Sequence, residues 1–303
     1  MKSKILVVLF IIFTPFITCQ SSENEITEPQ SPQPTIEQFV EETDLSDLSD
    51  LPTDPNYIKV VSLKGENPSP YGYVLRKPEA FGEDGLKYPV LICLHGVGSR
   101  GNSQNNPNDI NKVDQNSAIR AIKIGAWNPA VPVAVFAPQT NNNWNPNQLQ
   151  NFIEYIKSNY ANATKTNRIY ISGFSMGGFG AWSYLEEFGY QNSLIAAAVS
   201  MAGAPDGIEN VEPLKMMPFW AFHGDKDPTV SVNRSIQVVA SFKALYPSQN
   251  HQKLTVFTQD DFDGQFHRID NGIYDRTFFN KNHTGNIFDQ DVMNWMLRFK
   301  RND

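Results

Sequence analysis

The stretch Gly173-Phe-Ser-Met-Gly-Gly178 decides how this sequence is interpreted, because it encloses one serine between glycines. A largely apolar run, 168–172, precedes it as a buried strand would, and a helical pattern follows over 176–188. A plain turn needs fewer glycines, and a strand tolerates them poorly. Either Ser175 is a hydrolase nucleophile on a sharp strand-to-helix turn, or this is a tight connection that happens to contain a serine.

The apolar pattern on both sides of this turn predicts one α/β domain. Strands alternate with helices from about residue 88 onward, which is typical of a parallel, doubly wound sheet. The predicted strands are 57–63, 71–76, 88–94, 131–136, 168–172, 194–201, 217–222 and 254–257. The predicted helices are 118–124, 148–160, 176–188, 232–245 and 289–299.

Residues 1–19 have the layout of a bacterial lipoprotein signal peptide. A basic start is followed by nine apolar residues, Ile5 to Phe13, a run too short to cross a bilayer as a helix. Phe16-Ile-Thr-Cys19 resembles the site at which such signals end in a lipidated cysteine. We therefore expect export and a lipid anchor at Cys19, at the cell surface or in the periplasm; ordinary signal cleavage is the alternative.

Residues 20–55 are rich in Ser, Pro and Glu, and contain ten acidic residues but no Lys or Arg. Their low apolar content predicts a disordered tether. From residue 56 to residue 303 the charges nearly balance, at 22 acidic and 23 basic residues, and no basic stripe indicates nucleic-acid binding. Cys93 lies in an apolar run and is predicted to be a core residue, so no disulfide framework is expected.

Candidates for a catalytic acid and base follow later strands. Functional residues of parallel sheets gather at the carboxyl ends of the strands. Asp225 and Asp227 follow the strand that ends at Phe222, and His267 follows the last predicted strand. The chain order Ser, Asp, His is that of the α/β hydrolases. On position alone the two carboxylates remain alternatives, and His283 remains a second candidate base.

An acyl-transfer site also needs backbone N–H donors for the developing oxyanion. One is expected from Met176, the residue after the candidate nucleophile. The other is expected from the glycine-containing loop 94–101, with Val97 as first candidate and Gly98 as second. His95 in this loop is then structural.

These motifs together resemble a family of secreted bacterial α/β hydrolases. The family includes feruloyl and acetyl-xylan esterases, polyhydroxybutyrate depolymerases, and phospholipase/carboxylesterase-like proteins often called predicted peptidases. The resemblance covers about residues 57–300 and is carried by Tyr71-Gly-Tyr, Tyr88 to Gly101, Ala137-Pro-Gln, Arg168 to Trp182 and His223-Gly-Asp-Lys-Asp. It implies an α/β-hydrolase fold over 56–303, a mostly parallel central sheet with helices on both faces, and no large lid domain.

The resemblance also implies roles for single residues. Ser175 is the nucleophile, with Gly173 and Gly177 completing its turn. Asp227 matches the acid of the family pattern H-G-x-x-D, with Asp225 as the fallback. His267 is the implied base because Tyr274 follows at the family spacing.

Two departures from the family pattern bear on the base. Asp270 stands where the family has tryptophan, which suggests a more polar pocket wall. An extra segment, 275–286, contains His283 and keeps it open as the alternative base.

The implied activity is serine-dependent hydrolysis of carboxylic esters, such as acyl or feruloyl groups on polysaccharide, without a cofactor or metal. Trp144 and Gln139 are candidate substrate contacts. The alternatives are a serine peptidase of the same fold and a non-catalytic glycan-binding lipoprotein. The sequence leaves the oligomeric state open.

Overall fold

The computed structural model describes residues 45–53, 55–258, 266–288 and 290–302. In this part of the chain nine strands form one sheet in the order β1-β2-β4-β3-β5-β6-β7-β8-β9. Strands β3 to β8 run parallel to one another, whereas β1, β2 and β9 add antiparallel edges. The strands are β1 (Tyr57–Ser62), β2 (Gly72–Pro78), β3 (Tyr88–Leu94), β4 (Ala134–Gln139), β5 (Thr164–Phe174), β6 (Ala197–Met201), β7 (Phe219–Gly224), β8 (Gln252–Phe257) and β9 (His283–Gly285).

Helices lie in the connections between these strands and flank the sheet. The α-helices are α1 (Ser117–Lys123), α2 (Pro146–Asn159), α3 (Met176–Asn192), α4 (Val232–Leu245), α5 (Asp270–Tyr274) and α6 (Val292–Met296). A 3₁₀ helix, Pro107–Gln115, precedes α1. Asn106 caps its start, and the Asn106 side chain accepts a hydrogen bond from the N–H of Asn108. Within the described ranges, no helix is both long enough and apolar enough to cross a membrane.

The continuous apolar runs are the buried centre of the sheet. Every residue of β3, β4, β6 and β7 is buried, as expected for parallel strands covered on both faces. The predicted central strands and long helices are therefore confirmed. The last helix is shorter than the predicted range 289–299: α6 begins after Asp291, whose carboxylate caps it, and ends at Met296.

The segment 45–53 corrects the predicted boundary between tether and domain. Leu48 and Leu51 are buried in the core, and Asp47 forms a two-point ion pair with Arg168 at 2.8 and 3.1 Å. The Arg168 side chain is 0% exposed. A buried guanidinium needs a carboxylate partner, so this part of the acidic stretch packs against the domain. The signal peptide and the tether over 20–44 lie outside the described residues and stay predictions.

Candidate active site

Ser175 occupies a strained turn between β5 and α3. Its φ of 54° and ψ of −116° are rare for a residue with a side chain. Its N–H donates to the carbonyl of Met201 at 2.8 Å, which ties the turn to the end of β6. A methyl group on Gly173 would lie 2.0 Å from the Gly177 carbonyl oxygen, and one on Gly177 would lie 2.0 Å from that of Leu94. Only glycine fits at positions 173 and 177, two residues before and two residues after this serine.

His267 connects the serine to a carboxylate. Its Nε2 lies 2.9 Å from Ser175 Oγ, and its Nδ1 lies 2.8 Å from Asp227 Oδ2. The ring contacts Phe174, with 5.1 Å between the ring centroids. The side chain keeps 14% of its surface exposed, which leaves a route to it from solvent. The three residues thus have the mutual geometry of a nucleophile, a base and an orienting acid.

Asp227 is held as a carboxylate by four donors. Burial alone raises the pKa of Asp227, but hydrogen bonds from His223, His267 and two backbone N–H groups outweigh it and hold the pKa far below its usual value. The N–H groups of Thr229 and Val230 donate to Oδ1 at 2.8 and 2.9 Å. The carboxylate therefore stays ionised and accepts a hydrogen bond from the N–H at His267 Nδ1.

His223 is a partner of the acid that the sequence did not reveal. Its side chain is fully buried, and its Nε2 lies 3.2 Å from Asp227 Oδ2 and 2.9 Å from the Val230 carbonyl oxygen. A carbonyl can only accept, so Nε2 carries the proton. In the neutral ring, Nδ1 then accepts from the hydroxyl of Ser235 at 2.8 Å. His223 thus fixes the Asp227 side chain.

The two alternative residues lie elsewhere. The Asp225 N–H donates to the Phe257 carbonyl, and within the described residues its buried Oδ1 has no partner. His283 lies in the edge strand β9, where Nδ1 contacts the Lys281 carbonyl and Nε2 accepts from the Phe288 N–H. The structure therefore joins His267 to both Ser175 and Asp227. It places Asp225 and His283 in contact with neither the serine nor the other triad candidates.

The candidate oxyanion donors border the serine. Met176 is the first residue of α3, so its N–H has no partner in the preceding turn. Val97 opens a single-turn 3₁₀ helix, Val97–Ser99, and lines the same cavity as Ser175 and Met176. Helix α3 adds its positive N-terminal end behind the nucleophile. This arrangement favours negative charge on an oxygen bound beside Ser175.

His95 and Trp144 brace the loop that carries Val97. His95 Nδ1 donates to the Gly96 carbonyl, and its Nε2 accepts from the Thr140 N–H. Burial lowers the pKa of His95 to about 4, so the ring stays neutral. The Trp144 indole donates to the His95 carbonyl and packs against its ring. Trp144 lines the cavity beside Ser175 and is also a packed core side chain.

Gln139 and Asp270 require corrections. Gln139 does not line the cavities that Ser175 borders. It is buried and donates hydrogen bonds to the carbonyls of Ser99 and Asp109, so it supports the loop 94–101 that carries Val97. Asp270 is not a polar pocket wall, because it is fully buried against Ser117. Burial raises the pKa of Asp270.

Ser175 lies between two surface pockets. The Trp144 pocket, of about 470 Å³, is lined by Val97, Arg100, Asn143, Trp144, Ser175, Met176, Phe179, Gly180, Ser183, Thr229 and Val230. The His267 pocket, of about 550 Å³, is lined by Gly96, Val97, Gly98, Ser99, Lys112, Gln115, Asn116, Phe174, Ser175, His267 and Arg268. The nucleophile can therefore be approached by a ligand that extends to both sides. Within the described residues, no cluster of three or more His, Cys, Asp or Glu side chains could hold a metal ion.

A family model described as "Alpha/beta hydrolase of unknown function (DUF915)" matches residues 103–240, which include Ser175 and Asp227. Together with the sheet order and the strained serine turn, this match decides the fold. The chain has an α/β-hydrolase fold. No sequence among the curated proteins matches this chain at a significant level.

One solved structure supports this fold, and two others show a weaker similarity. A thermostable esterase is similar to this chain over 81% of the chain's length, at 25% sequence identity and a TM-score of 0.56; the chain covers 64% of that esterase's length. A ferulic acid esterase matches over 66% of this chain and over 90% of the esterase's own length, at 16% identity and a TM-score of 0.44. An acetyl xylan esterase from Aspergillus awamori matches over 64% of this chain and over 81% of that esterase's own length, at 13% identity and a TM-score of 0.43.

Proposed function

We propose that this protein is a serine esterase that hydrolyses carboxylic esters through an acyl-enzyme. The observation that carries the proposal is the pair of hydrogen bonds that joins His267 to Ser175 and to Asp227. The likeness to a thermostable esterase at 25% identity supports the same activity. The strained backbone at Ser175 agrees with a reactive side chain, because such strain persists where function requires it.

In the first half of the reaction, Ser175 Oγ attacks the ester carbonyl carbon while His267 Nε2 accepts the hydroxyl proton. The carbonyl oxygen becomes an oxyanion, which accepts hydrogen bonds from the N–H groups of Met176 and Val97. The C–O bond to the alcohol then breaks, and His267 donates its proton to the departing oxygen. Asp227 keeps the ring oriented and stabilises its cation throughout.

In the second half, water takes the place of the alcohol. His267 accepts a proton from the water, whose oxygen attacks the acyl carbon of the Ser175 ester. The second tetrahedral intermediate collapses, the bond from Ser175 Oγ to the acyl carbon breaks, and the proton returns to that oxygen. The products are one carboxylic acid and one alcohol.

The position of His267 assigns the two pockets. The histidine must reach the oxygen of the leaving alcohol, so the alcohol occupies the His267 pocket. The acyl group then occupies the Trp144 pocket, which His267 does not line. The polar side chains Lys112, Gln115 and Asn116 of the His267 pocket suit a hydroxyl-rich alcohol such as a sugar.

For the natural substrate we propose acyl or feruloyl esters on polysaccharide. Two open pockets on either side of Ser175 allow a polymeric alcohol to bind without threading through a channel. The resemblance to secreted feruloyl and acetyl-xylan esterases supports the same substrate class. The apolar and aromatic wall formed by Trp144, Phe179 and Val230 suits a hydrocarbon or phenolic acyl group.

We also propose that the enzyme is exported and anchored by lipid at Cys19, which would hold it near a polymer at a membrane surface. The signal-like residues 1–19 support this proposal. Labelled palmitate should be incorporated into the full-length protein in its native host type and not into Cys19→Ser. An unlabelled wild-type protein would disprove the anchor and leave the esterase proposal standing.

The activity is tested by one panel of substrates with wild type and Ser175→Ala. The panel contains short-chain nitrophenyl esters, methyl ferulate, acetylated xylan and peptide anilides. We expect Ser175-dependent hydrolysis of esters and no hydrolysis of anilides. Cleavage of anilides with no ester turnover would replace the esterase by a peptidase, and no turnover with correctly folded protein would favour a binding protein.

A further inference from the structure

Arg100 places a positive charge in the Trp144 pocket. Among the described residues that line this pocket, it is the one charged side chain. Its Nε donates to the thioether of Met176 at 3.2 Å, and one terminal nitrogen donates to Asn143 Oδ1 at 2.6 Å. Neither partner carries a negative charge. A guanidinium stays protonated and has five N–H donors, so Arg100 keeps donors for a ligand.

Other arginines of the domain differ from Arg100 in this respect. Each of five arginines has a carboxylate oxygen within 3.4 Å, namely Arg76, Arg120, Arg168, Arg234 and Arg276. Within the described residues, no carboxylate lies within ion-pair distance of Arg100. Its contact with Met176 places the guanidinium next to the residue that follows Ser175 and donates to the oxyanion.

We propose that the Trp144 pocket binds acyl groups that end in a carboxylate, and that Arg100 binds this carboxylate. Among the acyl esters proposed above, the preferred substrates are then half-esters of dicarboxylic acids rather than feruloyl esters. This inference rests on the proposed esterase function and on the assignment of the acyl group to the Trp144 pocket. The chemistry at Ser175 is unchanged: water and the half-ester give one dicarboxylate and one alcohol, and the distal carboxylate takes no part in bond making.

The walls of the pocket fit this class of acyl group. Val97, Phe179 and Val230 are apolar and suit the hydrocarbon between the two carboxyl groups, whereas Arg100 and Asn143 lie together and suit the distal carboxylate. Arginine binds carboxylates by paired N–H donors. A site that must otherwise leave a cation without a partner discriminates against a neutral acyl group.

The test compares two p-nitrophenyl esters of the same length. One is the monoester of adipic acid, which ends in a carboxylate, and the other is its terminal amide, which is neutral and nearly isosteric. We expect wild type to prefer the monoadipate by about tenfold or more in kcat/KM, as a hydrogen bond to a charged group allows. Arg100→Gln should abolish the preference, and Arg100→Lys should restore part of it. The preference is a ratio within one variant, so a general loss of activity cancels.

Lys112→Gln is the matched control, because it removes one positive charge from the His267 pocket and keeps a side chain that can donate. Its ratio should equal that of wild type. Ser175-dependent hydrolysis of the neutral amide without a preference for the monoadipate would overturn this inference alone. An equal fall of the ratio in Lys112→Gln would show a general field effect and would also overturn it. If neither ester is hydrolysed, the proposed function fails and this inference fails with it.

Discussion

The Nε2 atom of His267 lies 2.9 Å from Ser175 Oγ, although 92 residues of sequence separate the two. The sheet produces this proximity. Strands β5, β6, β7 and β8 are parallel neighbours, so their carboxyl ends lie at the same edge of the sheet. The segments that follow β5, β7 and β8 therefore begin at this edge. Ser175, Asp227 and His267 follow these three strands. The order of the residues in the chain is therefore the order of the strands in space.

The histidine geometry predicts which ring acts as the base. His267→Ala should lower kcat/KM for a nitrophenyl ester on the order of 10³-fold or more, as Ser175→Ala should. The double variant should lose little more, because the triad acts as a unit. His283→Gln is the control and should keep activity near that of wild type. A large loss in His283→Gln with little loss in His267→Ala would contradict the assignment.

The hydrogen bonds of Asp227 predict a dependence of stability on pH. They hold the pKa of the folded carboxyl below the ordinary 3.8, so the stabilisation that they give is complete above that pH. It is lost as the pH falls from there towards the folded pKa. The difference in free energy of unfolding between wild type and Asp227→Asn should therefore stay constant between about pH 7 and pH 5 and shrink below about pH 4. Urea unfolding at each pH measures it; a difference that grows in acid would refute the account.

The close approach of β3 to α3 predicts the effect of one methyl group. Gly177→Ala places a carbon 2.0 Å from the Leu94 carbonyl oxygen, and backbone cannot yield as a flexible side chain would. We expect a loss of at least about 2 kcal/mol in stability, together with loss of activity. Gly98→Ala is the stability control, since nothing lies within 4 Å of its added carbon. Thermal unfolding compares the two, and equal melting temperatures would contradict this close packing.

The ion pair between Asp47 and Arg168 predicts where the folded domain begins. Deletion of residues 1–44 should leave the melting temperature unchanged, because it spares this pair and the buried Leu48. Deletion of residues 1–53 should cost about 2 kcal/mol, because Arg168 stays buried without its carboxylate. Equal stability of the two deletions would show that the segment 45–53 adds nothing to the domain.

The sequence predicted the central sheet and the serine turn because their signals are local. Runs such as 88–94 and 217–222 are largely apolar, as buried strands are. Gly173 and Gly177 indicate a tight turn, because a side chain at either position would clash with backbone atoms. The choice of His267 over His283 needed the resemblance, since position along the chain left both open.

The sequence missed contacts that depend on distant partners. Nothing in the acidic segment marks Asp47 as the partner of Arg168, because their pairing spans 121 residues. Gln139 was misread as a substrate contact, since the end of a strand predicts nearness to the site but not whether the side chain points into the pocket. The contact between His223 and Asp227 does not follow from their spacing of four residues, because it depends on the fold of the loop between them.

The most direct test of the central claim is covalent labelling with a fluorophosphonate, which reacts preferentially with an activated serine. The label should attach to the peptide that contains Ser175, as shown by mass spectrometry, and the reaction should be lost on the same time scale in His267→Ala. Folded wild-type protein that stays unlabelled, or that carries the label on another residue, would contradict the account.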